Sequence, residues 1–260
     1  MKRLFLAFIL LVCCSHLLKA QLISKVDERF ELTSIVFRLA GAPEYSDSRI
    51  PSKYKNDIEA YFTQYNNHEL ISYAKELRKN YGVSYNAISS TSYYLVIKNG
   101  KIGISPNLNV SEIEKIDKRW TKDTFKKYVS LLNDFYKKSK FNRFFLQHKD
   151  YYNQAEERFN VVLKDINTNW FKSFFGKELG EPLIVTSLCN GPSNYALVDE
   201  NGLAGIVVGV GSDPQGFPYY HKRMISIILH ELIHGFSNSI VDDNWNEIES
   251  SANIIFPHVK

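Results

Sequence analysis

Three side chains near one end of the chain carry its most legible chemistry. The stretch ILHELIHGF, residues 228–236, sets His230, Glu231 and His234 in an otherwise apolar run. On an α-helix, positions four apart lie one turn from each other on one face. His230 and His234 are therefore spaced to bind one zinc ion through two imidazoles. Glu231 projects toward a water held on that metal and is wrongly angled to be a third ligand. Its role in such chemistry is general base. Zinc lowers the pKa of a bound water to about 7. Glu231 then takes the proton as the water attacks a carbonyl, and passes it to the leaving amine.

The competing reading is a core helix that carries these residues without a metal. Met224, Ile225, Ile227, Ile228, Leu229, Leu232, Ile233 and Phe236 place apolar groups on nearly every side. Such a helix is expected to be buried. An unpaired carboxylate is costly to bury, or is forced neutral. A bound cation removes that difficulty, which favours zinc.

Other candidates carry less. His68 and Glu69 open HELIS, which has Ser72 where the second histidine would stand. It reads as an ordinary capped helix start. Tyr195, Tyr219, Tyr220 and His221 lie near the motif in sequence, and any of them could stabilise an oxyanion. In a chain with 16 Tyr, packing or surface placement is the better reading for each one.

The elements that must position the motif can be read from period and punctuation. VDERFELTSIVFRLAG spaces Phe30, Leu32, Ile35, Val36 and Leu39 as a helix, with Gly41 to end it. A second helix is predicted after Pro51 in SKYKNDIEAYFTQY, and a third in HELISYAKELRKNYG with Gly82 as its stop. YYLVIKNGKIGI, residues 93–104, reads as a hairpin turning at Asn99-Gly100. Helices are expected again from about Thr121 to Lys138 and from Asp150 to Phe175. PLIVTSL reads as a strand. NYALV and LAGIVVGV read as a hairpin turning at Asn201-Gly202. A loop, GSDPQGFPYY, leads into the motif helix, expected from about Tyr220 to Asn238. The fold class is α+β: a mainly helical first part, a small mixed or antiparallel sheet, then the active-site helix. Residues 21–176 and 177–260 form either one domain or two, meeting near Gly176–Gly180.

The first twenty residues stand apart. MKRLFLAFILLVCCSHLLKA has a basic start, an apolar run from Leu4 to Val12, and small Ala20 before Gln21. That is the order of a secretory signal cut after Ala20, and the run is short for a membrane span. Val12 and Cys13 fit a lipoprotein site poorly. The chain is therefore expected to be exported, with no stable membrane span after cleavage. Lys2, Arg3 and Lys19 leave with the leader and no acid does, so a net charge of +4 falls to +1. No nucleic-acid partner is expected from so balanced a chain. Cys13 and Cys14 also leave. Cys189 remains as the single cysteine, better read as a small buried hydrophobe than as a catalytic thiol.

ILHELIHGF resembles the signature of the zincin metallopeptidases, in which uncharged residues flank HExxH. That resemblance implies an edge strand before the motif helix that holds a peptide substrate extended. LAGIVVGV is placed to be that strand, with Gly205 and Gly209 allowing close approach. KVDERFELTSIVFRLAGAPEY, NGPSNYA and HELIHGFSNSIVDDNW resemble a family of secreted bacterial proteins, a domain of unknown function with metallopeptidase-like character. Ser237 and Ile240 stand where the metzincin subgroup has its later ligand pattern, which excludes that subgroup. The gluzincin subgroup takes a glutamate from a later helix. After His234 the acids and histidine on offer are Asp242, Asp243, Glu247, Glu249 and His258. Glu249, in ESSAN, has the gluzincin form at short spacing, and an amphipathic surface helix is the better reading of NWNEIESSANII. The resemblance otherwise implies a further helix with the glutamate, so that the chain is expected to be truncated.

The expectation is an exported hydrolase using Zn2+, most specifically a metallopeptidase acting on a peptide or protein. The alternatives are a non-catalytic cell-envelope binding or scaffold protein on a degenerate zincin fold, and hydrolysis of a non-peptide amide.

Overall fold

A computed structural model describes residues 21–47, 52–199 and 202–255. The expected leader, Pro51, the turn position Asn201 and His258 lie outside these residues.

The chain enters as a short strand, β1 (Ser24–Lys25), and turns at once into α1 (Glu28–Leu39). Asp27 caps this helix by accepting from the Arg29 N–H at 3.0 Å. Its apolar residues Leu32, Ile35, Val36 and Phe37 are fully buried, and Gly41 follows in the left-handed region at φ 78°. Two helices follow, α2 (Ser52–Phe62) and α3 (Glu69–Tyr81). His68 is the N-cap of α3, its Nδ1 accepting from the Leu70 N–H at 3.1 Å. HELIS is thus a capped helix start, and Gly82 ends the helix at φ 69°.

The next helix, α4 (Asn86–Tyr93), was not expected from NAISSTSY, a run poor in strong helix formers. Its hydroxyls are satisfied within the helix, Thr91 on the Ala87 carbonyl at 2.8 Å and Ser92 on the Ile88 carbonyl at 2.7 Å. Its buried side carries Ala87 and Ile88, and the Trp120 indole donates to the Ala87 carbonyl at 3.1 Å. Tertiary burial overrides weak local propensity here. β2 (Leu95–Lys98) and β3 (Lys101–Ile104) form the expected hairpin, with Asn99 at φ 51° and Gly100 at φ 69°.

α5 (Ile113–Ile116), α6 (Lys122–Lys138) and α7 (Phe141–Gln147) come next. The single helix expected over Asp150 to Phe175 is two, α8 (Lys149–Leu163) and α9 (Asn169–Phe175). Asn167 accepts from the Asn169 N–H at 3.2 Å, a local side-chain turn that restarts the helix direction.

Strands β4 (Leu183–Ser187), β5 (Asn194–Asp199) and β6 (Gly202–Gly209) then build the main sheet, in the order β1-β4-β6-β5. β1, β4 and β6 run parallel, and β5 is antiparallel to β6. One face sets Val185, Leu197 and Val207 against Phe30 of α1. Ile184, Ile206 and Val208 belong to the main core, which runs continuously from Leu22 to Leu232.

β6 is therefore not the edge strand. It is paired on both sides, and the outer strands are β1 and β5. The glycines of LAGIVVGV admit parts of their own chain. A Cβ on Gly205 would strike the Leu183 carbonyl, and one on Gly209 the Gly191 carbonyl. The physical signal is in the residue pattern. A near-continuous apolar run suits a strand covered on both faces and paired on both sides. NYALVD, with polar residues at both ends, suits an edge.

A small hairpin, β7 (Gly211–Ser212) with β8 (Pro218–Tyr219), precedes the motif helix α10 (Met224–Asp243), and α11 (Trp245–Ile255) follows.

Candidate metal centre

α10 crosses the sheet beneath β6 and β5. Ile228 and Leu232, one turn apart, are its two fully buried residues. Met224, Ile225, Leu229, Ile233 and Phe236 flank them, partly buried against the core. Phe236 stacks on Phe175 of α9 with ring centres 4.9 Å apart. Gly235 lets the helix approach the start of β6, where a Cβ would strike Leu203. The outer side of the helix is open: Ile227 is 39% and Ile240 54% exposed. The expectation of a buried helix is thus corrected. Apolar composition is spread around the helix, but only the strip facing the sheet is covered among the described residues.

This half-open placement leaves the motif at the surface. His230 is exposed and His234 partly so. Their Nε2 atoms lie 3.2 Å apart, with the rings edge to face. His234 Nδ1 meets Asn238 Oδ1 at 3.0 Å. With that amide oxygen accepting the Nδ1 proton, His234 Nε2 carries the lone pair and faces His230 Nε2. Asn238 escaped the sequence reading. The signal was present, since it stands four residues beyond His234 and so on the same face.

Glu231 is half-buried. Burial pushes its carboxyl above the ordinary glutamate range. His234, His230 and hydrogen bonding from the Ala196 backbone N–H pull it back down. The last of these places the carboxylate against β5, an outer strand.

A model of the family described as Domain of unknown function (DUF4932) matches residues 22–257. The chain belongs to the DUF4932 family. No curated protein and no solved structure matches it.

In this DUF4932 chain the remaining candidates stand apart from the histidine pair. Glu247 and Glu249 are exposed on α11. Among the described residues no group of three His, Cys, Asp or Glu side chains is gathered to hold a metal. Tyr195 packs with Phe30, Leu197 and Val207 on one face of the sheet. Tyr220 is buried and stacks on Phe159 at 4.6 Å. Tyr219 is exposed, and His221 Nδ1 accepts from the Arg223 N–H at 3.0 Å. Cys189 is fully buried, and burial pushes its thiol far above its ordinary range, the opposite of an activated nucleophile.

The histidine pair fits part of a zinc site. Zinc–nitrogen bonds of about 2.0–2.1 Å at a tetrahedral angle set two ligand nitrogens about 3.3 Å apart. The 3.2 Å separation, here an imidazole–imidazole hydrogen bond, equals that bite in length. The donor type, the fixed Nδ1 partner and surface access also agree with a two-histidine contribution.

Proposed function

We propose that this chain is an exported zinc-dependent hydrolase, a peptidase of zincin type. The observation that carries the reading is the pair of Nε2 atoms at zinc bite, with a carboxylate beside them at an outer strand of a sheet. His230 and His234 would hold the metal, and Asn238 would keep the His234 ring in register. Zinc bound there would supply a water acidic enough to lose its proton near neutral pH. Glu231 is the base that accepts that proton and returns it to the leaving amine nitrogen. Its partial burial favours the proton-holding form, which suits a group that must carry a proton and release it. β5 is an outer strand that could add an extended peptide to the sheet, and Ala196 ties that strand to Glu231.

A second reading has its own support. The two histidines have no third protein ligand among the described residues, which suits a non-catalytic cell-envelope binding or scaffold protein. Metal analysis with a peptide-library digest separates the two. The hydrolase reading expects one zinc per chain, lost in His230→Ala and His234→Ala. It also expects cleavage that Glu231→Gln abolishes while zinc is retained. Zinc without cleavage by the unaltered chain supports the binding reading. A chain that takes up no zinc when it is supplied overturns the hydrolase reading.

A further inference from the structure

We propose that a cavity at the far end of β5 is a side-chain subsite for an extended peptide, selective for a bulky uncharged residue, aromatic above all. The inference rests on the peptidase reading for its orientation and goes beyond it in naming what the substrate carries.

The cavity has a volume of about 720 Å³. That lies within the range of roughly 300–1,000 Å³ typical of small-ligand sites. Val198 and Asp199 of β5 form one wall. Tyr93 from the end of α4, Leu95 of β2, and Leu108 and Ile116 beyond the hairpin form the others. Its position along β5 is the first argument. Glu231 sits at Ala196, and Val198 and Asp199 follow two and three residues later. At about 3.3 Å per residue, the cavity begins roughly 7–10 Å from the base along the strand. A peptide added alongside β5, with its scissile bond beside Glu231, brings a residue two or three positions away to the cavity mouth.

The β5–β6 register shifts between Leu197 and Val198, with Ala204 of β6 as the extra, unpaired residue. Beyond it Val198 stands 43% exposed, an apolar residue facing solvent at the mouth.

Charge then decides what fits. Two bases, Arg29 and Lys115, and two acids, Glu112 and Asp199, line the cavity. Arg29 is held by both carboxylate oxygens of Asp27, at 2.9 and 2.8 Å, and by the carbonyls of Tyr93 and Leu95, each at 3.0 Å. Lys115 pairs with Glu112 at 3.0 Å. Both cations of the lining are thus already paired with acids, which leaves neither to select an acidic side chain. Ser105, Asn107 and Asn109 make the rest of the lining polar, and a large ring can lie on the part formed by Leu95, Leu108 and Tyr93.

The test uses the full chain carrying Glu231→Gln, so that nothing is turned over, and two fluorescein-labelled peptides. Each is a Ser/Ala decapeptide, one with a central Trp and the other with Ala in its place. Fluorescence anisotropy is expected to show the Trp peptide bound at least tenfold more tightly. Val198→Trp fills the mouth from the strand, and Asn107→Trp fills it from an exposed loop position. Each is expected to remove that preference. Equal affinities for the two peptides, or a preference that survives both fillings, would overturn the subsite. The peptidase reading is judged separately, by cleavage in the unaltered chain. Selective binding without cleavage removes the peptidase and keeps the subsite; cleavage without selectivity does the reverse.

Discussion

His230, Glu231, His234 and Asn238 lie within about two and a half turns of one helix. The histidines supply donor atoms, and Asn238 decides which nitrogen of His234 carries the lone pair. Asn238→Ala is expected to leave the fold intact and to weaken zinc binding by about 10–100-fold, the range for outer partners of ligating histidines. Competition with a chelating dye measures this directly. Glu231→Gln removes the base and leaves both imidazoles in place. It is expected to lower peptide hydrolysis by roughly 10²- to 10⁴-fold with zinc content unchanged. The first three residues were legible because HExxH is a local pattern, complete within five positions. Asn238 was missed although its i+4 spacing from His234 was present, because an asparagine is not itself a ligand type.

At the scale of elements, the site depends on how closely α10 can approach the sheet. Gly235 is the contact point, facing Leu203 where β6 begins. Gly235→Ala puts a methyl group into that contact. Overpacking of this kind is expected to destabilise the fold by about 1–3 kcal/mol, less any gain in helix propensity. Urea unfolding of the variant beside the parent checks it, and zinc binding should weaken in step as the helix is pushed off the sheet. Leu203 is the compensating position: Leu203→Ala in the same chain should restore part of the loss. The strand exchange, β5 rather than β6 at the edge, belongs to this scale too. Hairpin partners are readable from turn residues, but which of the two meets a third strand depends on how β4, the strand just before the hairpin, packs against it.

Across the whole molecule, helices and sheet are tied by a buried carboxylate. Glu31 of α1 accepts from Tyr54 of α2 at 2.8 Å and from the Leu188 backbone N–H, beyond β4, at 2.8 Å. Ser187 lies at 3.4 Å, and the Tyr54 and Tyr152 hydroxyls meet at 2.9 Å, which brings in α8. None of these partners carries a positive charge. Burial pushes the carboxyl up to about 7, and the donated hydrogen bonds only partly offset it. The folded state therefore keeps a proton that the unfolded chain releases near its ordinary value of 4.5. Below 4.5 both states hold the proton and Glu31 has no pH effect. Between 4.5 and 7 the folded state binds more protons, so stability falls as pH rises, and above 7 the loss is complete. The difference amounts to about 3 kcal/mol. Glu31→Gln is expected to flatten that slope, read as the difference between parent and variant in unfolding midpoint across pH 4 to 8. Parallel curves would show that Glu31 is ionised in the folded state throughout.

What the sequence determined by itself was local. Helical period, caps such as His68, stops at Gly41 and Gly82, the Asn99-Gly100 turn and the HExxH spacing are all set by neighbours within a few residues. These placed the α+β class and the three motif residues. α4 was hidden because its serines and threonines are poor helix formers until burial removes the competing water. Tertiary structure alone decided that β4 runs between β1 and β6, that β5 rather than β6 is an outer strand, and that only one strip of α10 is covered. Each of those depends on contacts between segments distant in sequence, where packing area and backbone pairing outweigh local preference. ILHELIHGF could announce its chemistry from five positions. Its exposure, its partner Asn238 and the strand it faces were settled only when the sheet closed beside it.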